Sequence, residues 1–225
     1  MSMRKMSAGS GYRYLLDSVA RGDLGAGLSY YTAAGTPPGR WLGTGLRALE
    51  GGPRLGTRVG EDELRLLFGE GRHPGTGAAL GRAYPQYREG AGRRAVAGFD
   101  LTFSVPKSVS VLWGVSPVPV QRRIWEAHHR AIVDVLDLVE REVAATRIGT
   151  DGVRQVEVSG IIAAAFDHYD SRAGDPQLHT HVVISNKVRT AGDGRWRALD
   201  SRPIHAATVA LSEHYNAVLA DHLTT

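Results

Sequence analysis

The sequence predicts an α+β fold: an antiparallel β-sheet flanked by helices, with an irregular Gly/Arg-rich insertion. Three observations predict it. From residue 99 onward, strand-like and helix-like runs follow one another, and strands adjacent in the chain with helices inserted between them favour antiparallel pairing. Residues 99–105 and 178–188 alternate apolar and polar side chains, the period of a half-buried strand. Glycine is concentrated upstream, with 21 of 28 in residues 1–98, which breaks that half into loops and short helices.

In chain order, Ser10 is a good helix N-cap for residues 11–20, where Tyr12, Leu15, Leu16 and Val19 share one face. Between residues 35 and 98, glycine and proline interrupt the chain every few positions, leaving room for short helices such as 61–68. In the strand at 99–105, Phe99, Leu101, Phe103 and Val105 take one face; Asp100, Thr102 and Ser104 take the other. Pro106 ends it and residues 107–113 open a short helix. Residues 121–147 read as a long amphipathic helix striped by Ile124, Ala131, Ile132, Val135, Leu136, Val139 and Val143. Residues 155–158 and 160–166 are β-rich, 196–199 add a short strand, and 203–223 form a last helix. That helix runs to the chain's end, consistent with truncation at the C-terminus. No repeat or low-complexity linker divides the chain, so residues 1–225 are read as one domain.

The chain has no cysteine, which excludes disulfides, thiolate metal sites and cysteine nucleophiles and suits a reducing, cytoplasmic location. No apolar run reaches membrane-spanning length, and the first residues lack a signal-peptide core. The formal charge is +4, unevenly spread: 14 Lys+Arg against 8 Asp+Glu in residues 1–98, then 13 against 15. Arginine dominates the basic half and matches phosphate with a planar fork, which favours a nucleic-acid partner. A solvated surface of arginine-preferring composition explains the same numbers equally well.

The sharpest signal is Phe166-Asp167-His168, then Pro176-Gln177-Leu178-His179-Thr180-His181. His179 and His181 are two apart in a strand, so both rings leave one face. His168 ends the preceding β-run, and the turn-rich connection with Gly174 and Pro176 folds it back beside His179. Three neutral imidazoles bind one divalent cation and leave coordination positions open. The set suits Zn, Mn, Ni, Co or Fe and does not by itself separate them from Mg. The other six histidines, His128 and His129 among them, read as structural or surface residues. Asp100, on the polar face of its strand, is placed to accept the second N–H of a ligand imidazole or the proton of a nucleophile.

With no cysteine and no G-x-S-x-G, the nucleophile candidates are the tyrosines, four of whose eight (Tyr12, Tyr14, Tyr30, Tyr31) fall within the first 31 residues. Tyr12 lies on the apolar stripe of its helix and suits the core. Tyr14 lies off it and is the freer hydroxyl.

These residues resemble a known family. Ala97 to Ser110, AGFDLTFSVPKSVS, is similar to a signature of the TrwC/TraI-type (MobF) conjugative relaxases. The three-histidine run, Ser7-Ala8-Gly9-Ser10, the Tyr30-Tyr31 pair and Gly39-Arg40-Trp41-Leu42-Gly43-Thr44-Gly45 resemble further family motifs in the same order. The resemblance implies an HUH endonuclease fold with a ferredoxin-like palm. It implies His168, His179 and His181 as ligands of one divalent metal ion and Asp100 as their acidic partner. It also implies tyrosine attack on a scissile phosphate at a transfer origin, giving a 5′-phosphotyrosyl adduct and a free 3′-hydroxyl. Motif alignment places Tyr14 at the first-nucleophile position, with Tyr12 the alternative and Tyr30 or Tyr31 serving a second transfer. Lys107 and Arg172 lie within motifs and read equally as phosphate contacts or as structural residues. Arg40 and the Gly/Arg-rich segment would track the DNA backbone, with Trp41, Tyr84 and Tyr87 as stacking platforms, Trp41 reading also as a core residue.

The expected partner is single-stranded DNA at a nick site, with accessory relaxosome and coupling proteins, around a monomer without membrane insertion. Two departures stand out: the first tyrosines are Tyr12-Arg13-Tyr14, not an adjacent pair, and the family's domain runs longer, commonly followed by a helicase. A water-using metal nuclease, a rolling-circle replication initiator and a non-enzymatic origin-binding module are the alternatives.

Overall fold

The computed structural model describes residues 1–17, 37–85, 94–171 and 173–225. The regular elements are β1 (Ser2–Ser7), α1 (Tyr14–Asp17), β2 (Arg40–Leu42), α2 (Glu61–Leu64), β3 (Val96–Ser104), α3 (Lys107–Val115) and α4 (Val118–Leu138). Then follow β4 (Ala145–Ile148), β5 (Arg154–Glu157), β6 (Ala163–Asp170), β7 (Pro176–Ser185), β8 (Lys187–Arg189), β9 (Trp196–Ala198) and α5 (Ser201–Thr224). Five strands form the main sheet in the order β1-β3-β7-β6-β2, and every neighbouring pair is antiparallel. The pairs β4-β5 and β8-β9 are separate two-stranded ribbons.

The alternation of β3 and β7 gives the sheet two differently used faces. On one, Phe99, Leu101, Phe103, Leu178, Val182 and Ile184 pack against the apolar stripes of α4 and α5. Each fully buried side chain of this kind contributes about 1.5–3 kcal/mol of transfer free energy. On the other face, Met6, Tyr12, Leu15, Trp41, Leu67 and Phe68 close over Ala164, Phe166 and Val183. The Gly-rich segment is therefore a covering layer for half the sheet, and where that layer stops the polar side chains of β3, β6 and β7 emerge.

The long helix is shorter than its sequence suggests. It ends at Leu138, a π-type turn follows at Val139–Val143, and Ala145–Ile148 is a strand paired with β5. Ala144 takes an extended backbone there, and Thr146 fixes the strand through a hydrogen bond to the Ala198 carbonyl. His168 lies inside β6, which continues to Asp170. β1 and β2 have no counterpart among the expected elements. Residues 18–20 of the first expected helix lie outside the described residues.

Two glycines bring the N-terminal segment back over the sheet. Gly9 has φ +80°, a region open to glycine at little cost. A Cβ at Gly11 would collide with the Ser7 carbonyl, so only glycine permits so tight a turn out of β1. The turn delivers α1, and with it Tyr14, onto the polar side of β3.

Candidate active site

Strand pairing builds the histidine cluster. His168 and His179 are direct partners across β6 and β7, and His181 follows two residues later on the same face. The ring centroids are 5.0 Å apart for His168–His179, 4.8 Å for His168–His181 and 5.5 Å for His179–His181. One ring nitrogen from each lies within 4.8 Å of the other two, spacing that a single cation can bridge.

The tautomers suit ligation. His179 Nδ1–H donates to the Gln177 carbonyl at 2.7 Å, and His181 Nδ1–H donates to Asp100 at 2.9 Å. Both assignments leave Nε2 with its lone pair toward the cluster. Burial and the neighbouring imidazoles push His168 down to about 4 and also lower His179, so both are neutral near pH 7. This donor set fits a divalent metal.

Asp100 couples the cluster to the N-terminal segment. It is buried, diagonal to His181 across β3 and β7, and it also accepts a hydrogen bond from the Tyr14 hydroxyl at 2.6 Å. The Tyr14 ring meets His181 edge-on, centroids 6.0 Å apart. Tyr14 remains 39 % exposed. Burial, together with the charge and hydrogen bond of Asp100, raises its phenol far above the ordinary tyrosine range. Arg4 opposes that rise: it pairs directly with Asp100 across β1 and β3, so its side chain leaves the same face, and it is exposed. Sequence reasoning missed Arg4 because β1 itself was missed.

Tyr12 is only 4 % exposed and belongs to the apolar cluster beneath the N-terminal segment. It is a core residue. Tyr30, Tyr31, Tyr87 and Arg172 lie outside the described residues.

Four residues expected to contact DNA are engaged elsewhere in the fold. Trp41 is fully buried and its indole N–H donates to Glu63, so it packs the core and cannot stack on a base. Arg40 pairs with Ala165, whose side chain faces the helices. Its guanidinium therefore lies on the face opposite the histidines, over the Trp125 ring and 3.5 Å from Asp167. Lys107 is tied to the β6–β7 turn through the Asp175 carboxylate and the Pro176 carbonyl, so it braces the ligand hairpin. Ser110, one helical turn on, holds the same hairpin by accepting from the Leu178 N–H at 3.1 Å. Tyr84 donates to the Ala97 carbonyl and packs under Lys187, which occupies the ring face that stacking would need.

An antiparallel sheet carrying a three-histidine centre on one face, with a tyrosine and an aspartate beside it, defines an HUH-type relaxase domain. The chain belongs to the TrwC relaxase family, whose model matches residues 8–225. It is 36 % identical over 196 residues to the multifunctional conjugation protein TraI of Escherichia coli, an alignment covering 87 % of this chain and 10 % of that protein. The chain thus spans about a tenth of the length of the curated relatives it matches. A copper-bound structure of the conjugative relaxase TrwC with oriT DNA superposes with a TM-score of 0.72 at 32 % identity, covering 99 % of this chain and 69 % of that one. A metal-bound TrwC complex with oriT DNA gives 0.71 at 30 %, with the same coverage. Among the described residues, no helix is long and apolar enough to cross a membrane.

Proposed function

We propose that this domain nicks one DNA strand at a transfer origin by metal-dependent transesterification, with Tyr14 as the nucleophile. The observation that carries the reading is the 2.6 Å hydrogen bond from Tyr14 to Asp100, a carboxylate that also holds His181. TrwC complexed with a 27-mer DNA comprising the recognition hairpin and the cleavage site supports DNA carrying a cleavage site as the substrate.

His168, His179 and His181 would hold one divalent ion through ring nitrogens, whose identity the donor set leaves open. When bound, it supplies Lewis-acid polarisation of the scissile phosphate. The rest is the work of this chain's own residues. Asp100 takes the phenolic proton as the Tyr14 oxygen bonds to phosphorus. The bond to the 3′ oxygen breaks, and that oxygen takes a proton from solvent. The 5′ end remains on Tyr14 as a phosphodiester, so bond energy is conserved and the step reverses without ATP. Arg4 offers positive charge on the same face, where negative charge accumulates in the transition state. Tyr30 or Tyr31 would serve a second transfer, and accessory relaxosome and coupling proteins would complete the assembly.

The test uses a randomised single-stranded oligonucleotide pool with Mn²⁺. The reading predicts an adduct stable to denaturing gels, lost with chelator and lost in Tyr14→Phe. Strand cutting that persists in Tyr14→Phe without any adduct would instead establish a water-using nuclease.

A further inference from the structure

Behind the histidine cluster, on the helix face of the sheet, lies a chain of buried polar groups. Tyr215, His128 and Thr180 are each 0 % exposed, and Asp167 is 6 % exposed. Thr180 Oγ1 donates to Asp167 Oδ1 at 2.6 Å. A hydroxyl that donates there accepts from its other neighbour, so His128 Nε2–H points at Thr180, 2.8 Å away. His128 Nδ1 is then the acceptor for the Tyr215 hydroxyl at 2.7 Å. All three bonds therefore run one way, from α5 through α4 to β7 and β6. The other Asp167 oxygen receives His129 at 3.1 Å and the Trp125 indole at 3.3 Å, with Arg40 at 3.5 Å.

The position of this chain gives it meaning. Thr180 lies between His179 and His181, and Asp167 immediately precedes His168. Thr180 and Asp167 are also direct partners across the ladder, the rung between the His168–His179 pair and the Phe166–His181 pair. Side chains alternate, so the histidines leave one face of this rung and the hydrogen-bonded chain leaves the other. Backbone pairing alone sets the register of the two strands. Their local twist at this rung, and hence the direction in which the three rings leave the sheet, is further fixed where the rung is tied to the helices. Burying four polar groups is costly unless every bond is made, and here each bond is made. Burial holds His128 down to about 3, so it stays neutral and its one-proton bonding pattern persists at physiological pH.

We infer that Asp167, Thr180, His128 and Tyr215 form a positioning network that sets the geometry of the three-histidine centre from the opposite face of the sheet. The inference rests on the reading of His168, His179 and His181 as a metal centre. None of the four residues would touch metal or DNA; they act through the strands that carry the ligands.

Co²⁺ titration, followed by its visible absorption, tests this. Thr180→Val keeps the side-chain shape and removes the hydroxyl; Thr180→Ser keeps the hydroxyl. Thr180→Val is expected to weaken Co²⁺ binding on the order of tenfold, the lower range for groups that orient metal ligands, and to alter the absorption band. Thr180→Ser should restore both. Thermal midpoints of the metal-free proteins separate simple loss of stability from loss of geometry. Should Thr180→Val not fold, Tyr215→Phe removes only the far hydroxyl and is expected to weaken binding about threefold. Wild-type affinity and an unchanged band in whichever variant folds would overturn the inference, even with a lowered thermal midpoint. No Co²⁺ binding by the wild-type protein would instead overturn the metal-centre reading on which it stands.

Discussion

The Tyr14 hydroxyl donates to Asp100 across 2.6 Å, and the same carboxylate accepts from His181 at 2.9 Å. One buried acid thus joins a phenol from the N-terminal segment to a ring of the histidine cluster. The two neighbouring tyrosines consequently differ in what their removal does. Tyr14→Phe should abolish the DNA adduct while costing no more than about 3 kcal/mol of stability, the scale of one hydrogen bond to a charged group. Tyr12→Phe should retain the adduct. Tyr12→Ala should cost about 3–5 kcal/mol, because it empties a buried aromatic site. Adduct gels and urea unfolding at pH 7 separate these outcomes.

Asp100→Asn removes the proton acceptor for Tyr14 and weakens the hold on His181 together. Metal affinity should fall by roughly 10- to 100-fold, as expected when a ligand's orienting carboxylate is lost. At saturating metal the cutting rate should still fall, by about 10²-fold or more, because general-base assistance is gone. Metal titration and single-turnover cutting at saturating metal measure the two effects independently. Full recovery of rate at high metal would show that Asp100 only orients His181.

Arg4→Gln should leave Co²⁺ binding unchanged and slow strand cutting by about tenfold, the effect of one charge on a phosphoryl transition state partly open to solvent. Raising ionic strength should shrink the difference, since the Arg4 side chain is exposed. Equal cutting rates for wild type and Arg4→Gln at low salt would remove Arg4 from the mechanism.

His128 gives a pH signature. Its folded pKa, about 3, lies below the ordinary value of 6.5, so the unfolded chain binds the extra proton between those limits. Stability is then fully present above pH 6.5 and is lost as pH falls toward 3, by up to about 1.4 kcal/mol per pH unit for this one group. Urea unfolding of the metal-free protein at pH 7, 6 and 5 should show the decline. His128→Gln, which takes up no proton, should flatten it by about one proton's worth of slope. A slope unchanged by that substitution would contradict the account.

Much of this site was legible because its signals are periodic. Alternation in residues 99–105 put Phe99, Leu101 and Phe103 in the core and Asp100 on the opposite face, where the structure has them. The H-x-H spacing placed His179 and His181 side by side, and the connecting turn returned His168 to them. β1 was not legible, because Arg4 and Lys5 break its alternation and an edge strand is not obliged to be apolar on either side. β2 spans three residues among glycines, too few for any pattern. Without β2, the core reading of Trp41 could not be chosen over the stacking one, and nothing placed Arg40 on the helix face. The strand at Ala145–Ile148 was hidden because the apolar stripe runs unbroken to Val143, two residues before it, and only pairing with β5 makes these four residues a strand. The polar chain through His128 and Tyr215 joins residues 87 positions apart and leaves no local trace.

The most direct measurement is peptide mapping of the protein trapped on single-stranded DNA in the presence of Mn²⁺. After nuclease digestion, mass spectrometry of the tryptic peptides locates the residual nucleotide. The account predicts that the first adduct is a phosphodiester on Tyr14, with any second one on Tyr30 or Tyr31 lost in Tyr14→Phe. A nucleotide carried by Tyr12 or by any residue other than tyrosine, or an adduct that leaves Tyr14 unmodified, would contradict it.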